Sequence, residues 1–100
     1  MEGWSLDLIT NLAPTTEEGF KHCLVCVDCF SKFVEIFPLK SKSSKEVSIV
    51  FYREIVARYG KPKWVRVDAG REFEGEFIET CKTMGIHKRV ASSGYPRSNG

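Results

Sequence analysis

The order in which residue periods appear constrains the fold of this 100-residue chain more than any other feature. Three β-type runs come first, and helical periods begin only afterwards. Trp4, Leu6 and Leu8 alternate with Ser5, Asp7 and Ile9, which is the period of a strand. Asn11 to Gly19 reads as a loop, with Pro14 and Gly19 in it. Phe20 to Phe30 reads as a second strand and Phe33 to Leu39 as a third. The turn Asp28-Cys29-Phe30-Ser31-Lys32 is short enough to make these two an antiparallel hairpin, so the first three strands form a meander.

A helix follows. Ser43 and Glu46 offer a capping box, and Val47, Val50, Phe51 and Ile55 recur at helical spacing. Gly60 ends that helix and Pro62 prevents its resumption. Lys63 to Asp68 is a short β-rich run. A second helix is expected from Glu72 to Met84, with Phe73, Phe77, Cys81 and Met84 on one face and Gly85 as its stop. Ile86 to Ala91 is a fifth strand, and Ser92 to Gly100 is a polar loop. The order is therefore β-β-β-α-β-α-β. Strands joined through helices run parallel with right-handed crossovers, which predicts a mixed five-stranded sheet of the α/β class in one domain.

Composition removes several alternatives. With 42% hydrophobic and 28% charged residues the chain is neither disordered nor a coiled coil. No apolar run approaches the roughly 18 residues of a membrane span, and the opening MEGWSLD lacks the basic-then-apolar order of a signal peptide. An intracellular protein with no membrane partner is the expectation. Net charge is only +2, but residues 40–67 hold eight basic and two acidic side chains, a block that fits either a solvated helix face or a polyanion site.

Cys23, Cys26 and Cys29 have a spacing that suggests zinc. The run that holds them, HCLVCVDCF, reads as a strand. Alternation on a strand sends Cys26 to the face opposite Cys23 and Cys29, and diverging ligands cannot close a tetrahedral site. No zinc is expected, and the thiols read as core packing.

Two acidic residues stand apart. Asp7 lies within an apolar strand, where a carboxylate is costly unless paired or metal-bound. Asp68 ends the fourth strand before Ala69-Gly70, the place where open α/β sheets put their ligands. If the first and fourth strands are neighbours, both carboxylates converge on one divalent cation, and hard cations such as magnesium prefer oxygen ligands. The alternative is that Asp68 caps the next helix and Asp7 faces solvent on an edge.

Four segments then come in a telling order: Trp4-Ser5-Leu6-Asp7; Val27-Asp28-Cys29-Phe30-Ser31-Lys32-Phe33 with Phe37-Pro38-Leu39; Tyr59-Gly60-Lys61-Pro62 with Asp68-Ala69-Gly70-Arg71-Glu72-Phe73; and Tyr95-Pro96-Arg97-Ser98-Asn99-Gly100. Together they span nearly the whole chain. It resembles the catalytic core of retroviral-type integrases, specifically those of gypsy-type LTR retrotransposons and genes derived from them.

The resemblance implies a ribonuclease H-like fold and a DDE-type polynucleotidyl transferase that joins DNA ends to target DNA in the nucleus. It implies Asp7 and Asp68 as the catalytic, metal-holding aspartates, with Mg2+ or Mn2+ as cofactor and DNA and a homo-oligomer as partners. Tyr95, Arg97, Ser98 and Asn99 match the loop that meets DNA, and Lys61 and Lys63 flank the strand leading to Asp68. Asp28 and Ser31 match the family's D-x-x-S turn, where Asp28 reads as a turn-forming residue. Glu72 reads as structural.

The sequence departs from the family in three places. Tyr95 stands where histidine is usual and Arg97 where glutamine is common. The triad's glutamate, expected a few residues after Asn99-Gly100, is not among these residues, so 1–100 reads as an integrase core incomplete at its C-terminal end. The isolated chain is accordingly expected to be inactive and to hold metal only weakly. The strand faces of Val25, Val27, Val65 and Val67 are expected to lose cover and to promote self-association. A domesticated, non-enzymatic binding protein and a ribonuclease H-like nuclease are the rival readings.

Overall fold

The computed structural model describes residues 2–10, 21–68 and 70–90. Strand β1 (Gly3–Ile9) is followed by β2 (His22–Asp28) and β3 (Val34–Leu39), paired antiparallel in sequence. The turn between β2 and β3 is the one expected: Asp28 N–H donates to the Phe33 carbonyl at 2.8 Å and Lys32 N–H to the Asp28 carbonyl at 2.8 Å. Lys32 takes a positive φ of 68° there.

Helix α1 (Ser44–Val50) continues without a break through a π-helical stretch, Phe51–Val56, into a last turn, α2 (Ala57–Tyr59). The Ser43 hydroxyl accepts from Glu46 N–H at 3.2 Å, as a capping serine should. The other half of the box is different. The Glu46 carboxylate accepts from the Lys40 and Ser41 N–H groups at 3.0 and 2.9 Å, so it ties down the incoming chain rather than the cap. Val47, Val50, Phe51 and Ile55 are all buried, as their spacing predicts. Gly60, with φ of 91°, ends the helix, and β4 (Trp64–Val67) follows.

The second helix is shorter than its sequence suggests. A single 3-10 turn, Arg71–Phe73, comes first; the chain then breaks at Gly75 (φ 51°), and α3 runs over Glu76–Met84. Ser44 of α1 sits at the break: its hydroxyl accepts from Phe77 N–H at 2.9 Å and donates to the Glu74 carbonyl. The N-terminus of α3 is thus capped from another helix, a contact between residues 33 apart that no local pattern reveals. Gly85 takes the left-handed conformation (φ 71°) and Ile86 N–H returns to the Cys81 carbonyl at 2.8 Å, closing α3 before β5 (His87–Val90).

The sheet order is β3-β2-β1-β4-β5, with β1–β4 and β4–β5 parallel. The crossovers β3→β4 and β4→β5 step the same way across the sheet, so right-handed connections lay their helices on the same face. That face holds the core: Trp4, Leu6, Leu24, Cys26, Val65 and Val67 from the strands meet Val47, Phe51, Ile55, Phe73, Phe77 and Cys81. Val65 and Val67 are therefore fully covered, contrary to the expectation that they would lose shelter with Val25 and Val27. They lie on the opposite pleat from those two valines. The other face carries no helix among the described residues, and there Ile9, Val34 and Ile36 are 43%, 49% and 60% exposed.

The cysteines follow the alternation. Cys26 is buried under the helices, Cys23 is half-buried on the opposite side, and Cys29 lies in the turn beyond the strand. Burial pushes the Cys26 thiol up to about 12 and the Cys81 thiol up to about 11.

Candidate metal centre and its surroundings

Asp7 and Asp68 come from adjacent strands. The parallel register pairs Trp4 with Val65 and Ser5 with Arg66, and two residues further on stand Asp7 and Asp68. The ladder ends at Ser5–Arg66, so Asp7 and Asp68 each lie two residues beyond the last pair, on neighbouring parallel chain segments. Both aspartates are exposed, and alternation puts Asp7 on the uncovered face, opposite Val25 of β2. A carboxylate in an apolar strand is tolerable here because its side of the sheet is open to water. The chain's topology thus brings the two candidate ligands together.

Asp68 is oriented locally. Its Oδ1 accepts from Gly70 N–H at 2.9 Å, which leaves Oδ2 free for another partner. Glu72 folds back over the same spot. A Cβ placed on Gly70 would lie 2.2 Å from Glu72 Oε1 and 3.0 Å from Asp68 Oδ1, so a larger residue there would push the Glu72 carboxylate aside. The part of Gly70 and Glu72 in the shape of this site was missed in the sequence. The D-x-G-x-E spacing was its signal. Among the described residues no three His, Cys, Asp or Glu side chains come together in a metal-holding group.

Asp28 belongs elsewhere. It is 1% exposed; its Oδ2 accepts from the Ser31 hydroxyl at 2.6 Å and from Ser31 N–H at 3.1 Å. The Ser31 hydroxyl bond, with help from backbone N–H groups and against the pull of burial, holds its carboxyl below the ordinary range. It builds the turn, as its place in the sequence implies.

Trp4 is a core residue, its ring tilted at 41° and 5.3 Å against Tyr59, whose hydroxyl donates to Glu35. Arg58 lies 3.2 Å from the same Glu35 carboxylate. The hydrogen bond to Glu35 raises the Tyr59 phenol and lowers the Glu35 carboxyl. This network locks the end of the first helix to β1 and β3, which explains why a tryptophan and a Tyr-Gly pair accompany the aspartates.

Of the residues expected to meet DNA, Lys61 is exposed, and Lys63, also exposed, has Glu2 at 3.8 Å. Tyr95, Arg97, Ser98 and Asn99 lie outside the described residues.

Comparison with known proteins gives concordant results. The family model for the integrase core domain matches residues 1–96. The chain is 34% identical over 98 residues to the Pol polyprotein of Radiation murine leukemia virus (strain Kaplan), covering 97% of this chain and 16% of that polyprotein. It is 29% identical over 100 residues to the Gag-Pol polyprotein of Avian reticuloendotheliosis virus, of which it covers 8%. The chain thus spans a small fraction of the curated relatives it matches. Among solved structures, the HTLV-2 integrase catalytic core domain in complex with magnesium, in a trimeric form, superimposes with a TM-score of 0.74 at 27% identity. The match covers 99% of this chain and 64% of that one. A chain of the simian T-cell lymphotropic virus intasome in complex with PP2A regulatory subunit B56 gamma has the same fold: TM-score 0.78, 22% identity, 97% of this chain and 34% of that one.

Proposed function

This chain belongs to the integrase core domain family, and on that premise we propose that it is part of a DDE-type polynucleotidyl transferase that joins DNA ends to target DNA. Its five-stranded 3-2-1-4-5 sheet is the ribonuclease H-like fold of integrase cores. The observation that supports the reading is the placement of the exposed Asp7 and Asp68 on neighbouring parallel segments, each two residues beyond the Ser5–Arg66 pair.

Two exposed carboxylates of this kind suit Mg2+ or Mn2+, which take oxygen ligands and keep several waters. When bound, the cation supplies Lewis acidity at a phosphodiester and steadies charge on the leaving oxygen. Asp7 and Asp68 hold it; the Gly70 N–H fixes the rotation of the Asp68 carboxylate. The resemblance gives the triad a third carboxylate, a glutamate that neither Asp7 nor Asp68 supplies. Lys61 and Lys63, with Tyr95, Arg97, Ser98 and Asn99, contact the DNA. The partners are DNA and further copies of the protein, the setting is the nucleus, and the origin is a gypsy-type LTR retrotransposon or a gene derived from one. The four segments together, from Trp4–Asp7 to Tyr95–Gly100, support that origin.

The test is end joining. A chain extended past Gly100 through the next glutamate-bearing helix joins a pre-processed DNA end to a target plasmid with magnesium; residues 1–100 alone do not. Calorimetry detects weak magnesium binding by residues 1–100 that falls in Asp7→Asn and in Asp68→Asn. Unchanged binding in both variants would show that the two residues form no site. Cleavage without joining by the extended chain would transfer the reading to a nuclease.

A further inference from the structure

The uncovered face carries a second row of charges beside the aspartates. Ser5 of β1, Arg66 of β4 and Arg89 of β5 are consecutive register partners, so Arg66 and Arg89 stand side by side on neighbouring strands. Both are exposed. Like charges directly opposite each other on a sheet destabilise it. Neither guanidinium forms an ion pair among the described residues, although Asp7 and Asp68 are only two residues along the same strands.

An aromatic ring arranges the pair. Trp64 lies in the row below, next to Gly3, and its ring is laid flat on the Gly3 backbone: a Cβ at Gly3 would come within 2.2 Å of the ring. The Arg89 guanidinium sits 4.4 Å from the ring centroid and that of Arg66 5.8 Å from it. Such contacts hold a guanidinium in place while leaving its N–H fork open. The sequence therefore spends a glycine, a tryptophan and two arginines on organising two uncompensated cations next to each other.

We propose that Arg66 and Arg89, held on the Trp64 ring, form a phosphodiester-binding site for nucleic acid, one pleat away from the Asp7–Asp68 pair. Arginine pairs match phosphate oxygens in a bidentate fashion, and a shared anion turns their mutual repulsion into attraction. The two rows are separated by two residues of strand, about 7 Å. A strand whose phosphate lies at the aspartates, on the integrase reading above, thus places a neighbouring phosphate over the arginines. The site carries no base specificity, because it meets only the backbone.

The experiment is fluorescence anisotropy of a labelled 20-base-pair duplex with the 100-residue chain, in EDTA and over a series of salt concentrations. The salt slope of the parent falls by about two in the Arg66→Gln/Arg89→Gln variant, and affinity falls about tenfold or more. Arg66→Lys/Arg89→Lys keeps most of the slope. Intact thermal melts for each variant confirm that the fold is retained. An unchanged slope in the double glutamine variant overturns the site, whatever the aspartates do with magnesium. Polyglutamate that competes as well as DNA and depends on the same two arginines overturns it in favour of an acidic protein segment. A lost slope in the arginine variant, with magnesium binding unaffected by the aspartate variants, leaves the phosphate site standing and removes the metal reading instead.

Discussion

The two faces of one sheet are built from the same strands and do opposite work. On the covered face, Trp4, Leu6, Leu24, Cys26, Val65 and Val67 are each 3% exposed or less. On the other, Ser5, Asp7, Arg66 and Arg89 stand among half-buried valines and the exposed Ile36. Because side chains alternate along a strand, the buried Leu6 has Asp7 as its chain neighbour, and the buried Val67 lies between Arg66 and Asp68. A slip of one residue in β1 would exchange the two roles entirely. The sheet is thus stabilised from one side, which leaves the other free to hold charges that a core could not accept.

The sharpest way to break this contrast is to remove a ring from the covered side. Phe77 is 0% exposed and lies 5.4 Å from Phe51 and 5.3 Å from Phe73. Phe77→Ala leaves a cavity among aromatic neighbours and costs about 3–5 kcal/mol. That is a large part of the stability of a small domain, about 5–15 kcal/mol. Urea unfolding followed by tryptophan fluorescence measures it. A loss below about 1 kcal/mol would mean that the covered face is not the seat of stability.

Most of this division was legible in the sequence. Alternation placed Trp4, Leu6 and Leu8 together, and the 3.6-residue period chose Val47, Val50, Phe51 and Ile55 correctly. The reach of Asp7 to Asp68 was legible only conditionally, because it needs β1 beside β4, a pairing between residues far apart in the chain. The break before α3 was hidden for a related reason. Gly75 looked like one more residue in a helix, and what fixes its bend is the Ser44 hydroxyl, delivered from another element. The Arg66–Arg89 pair escaped because strand register across two crossovers is not a local property. Val65 and Val67 were misplaced because the face a crossover helix covers depends on strand order and handedness, not on the strand's own residues.

A smaller effect appears only in acid. Asp28 lies on the covered side of β2, where its carboxylate accepts two bonds from Ser31. The Ser31 hydroxyl holds the folded-state carboxyl below its ordinary value of 3.8. The folded chain therefore binds fewer protons than the unfolded chain in that range. The stability from this group is complete above about pH 4 and disappears as pH falls through the folded value. Asp28→Asn keeps an acceptor for Ser31 and abolishes this dependence. Thermal melts of parent and variant from pH 6 to pH 2.5 should converge at the acid end. Parallel curves would show that Asp28 does not carry the acid sensitivity.

The smallest change is expected on the open face, where Ile36 is 60% exposed on the edge strand β3. Fully burying an isoleucine is worth about 1.5–3 kcal/mol, so the portion of Ile36 already sheltered accounts for about 1 kcal/mol or less. Ile36→Ser therefore barely moves the unfolding midpoint of the monomer. Its consequence lies in association instead. Ile36 is flanked by Val25 in register and stands near Val34, which makes an apolar strip along the bare side of β2 and β3. Such a strip favours contact with another apolar surface. Sedimentation over a tenfold concentration range should show the parent chain self-associating and the serine variant shifted toward monomer. A stability loss above about 2 kcal/mol in dilute solution would mean that the face is already covered within the single chain, and the division between a stabilising side and a working side would then fail at β3.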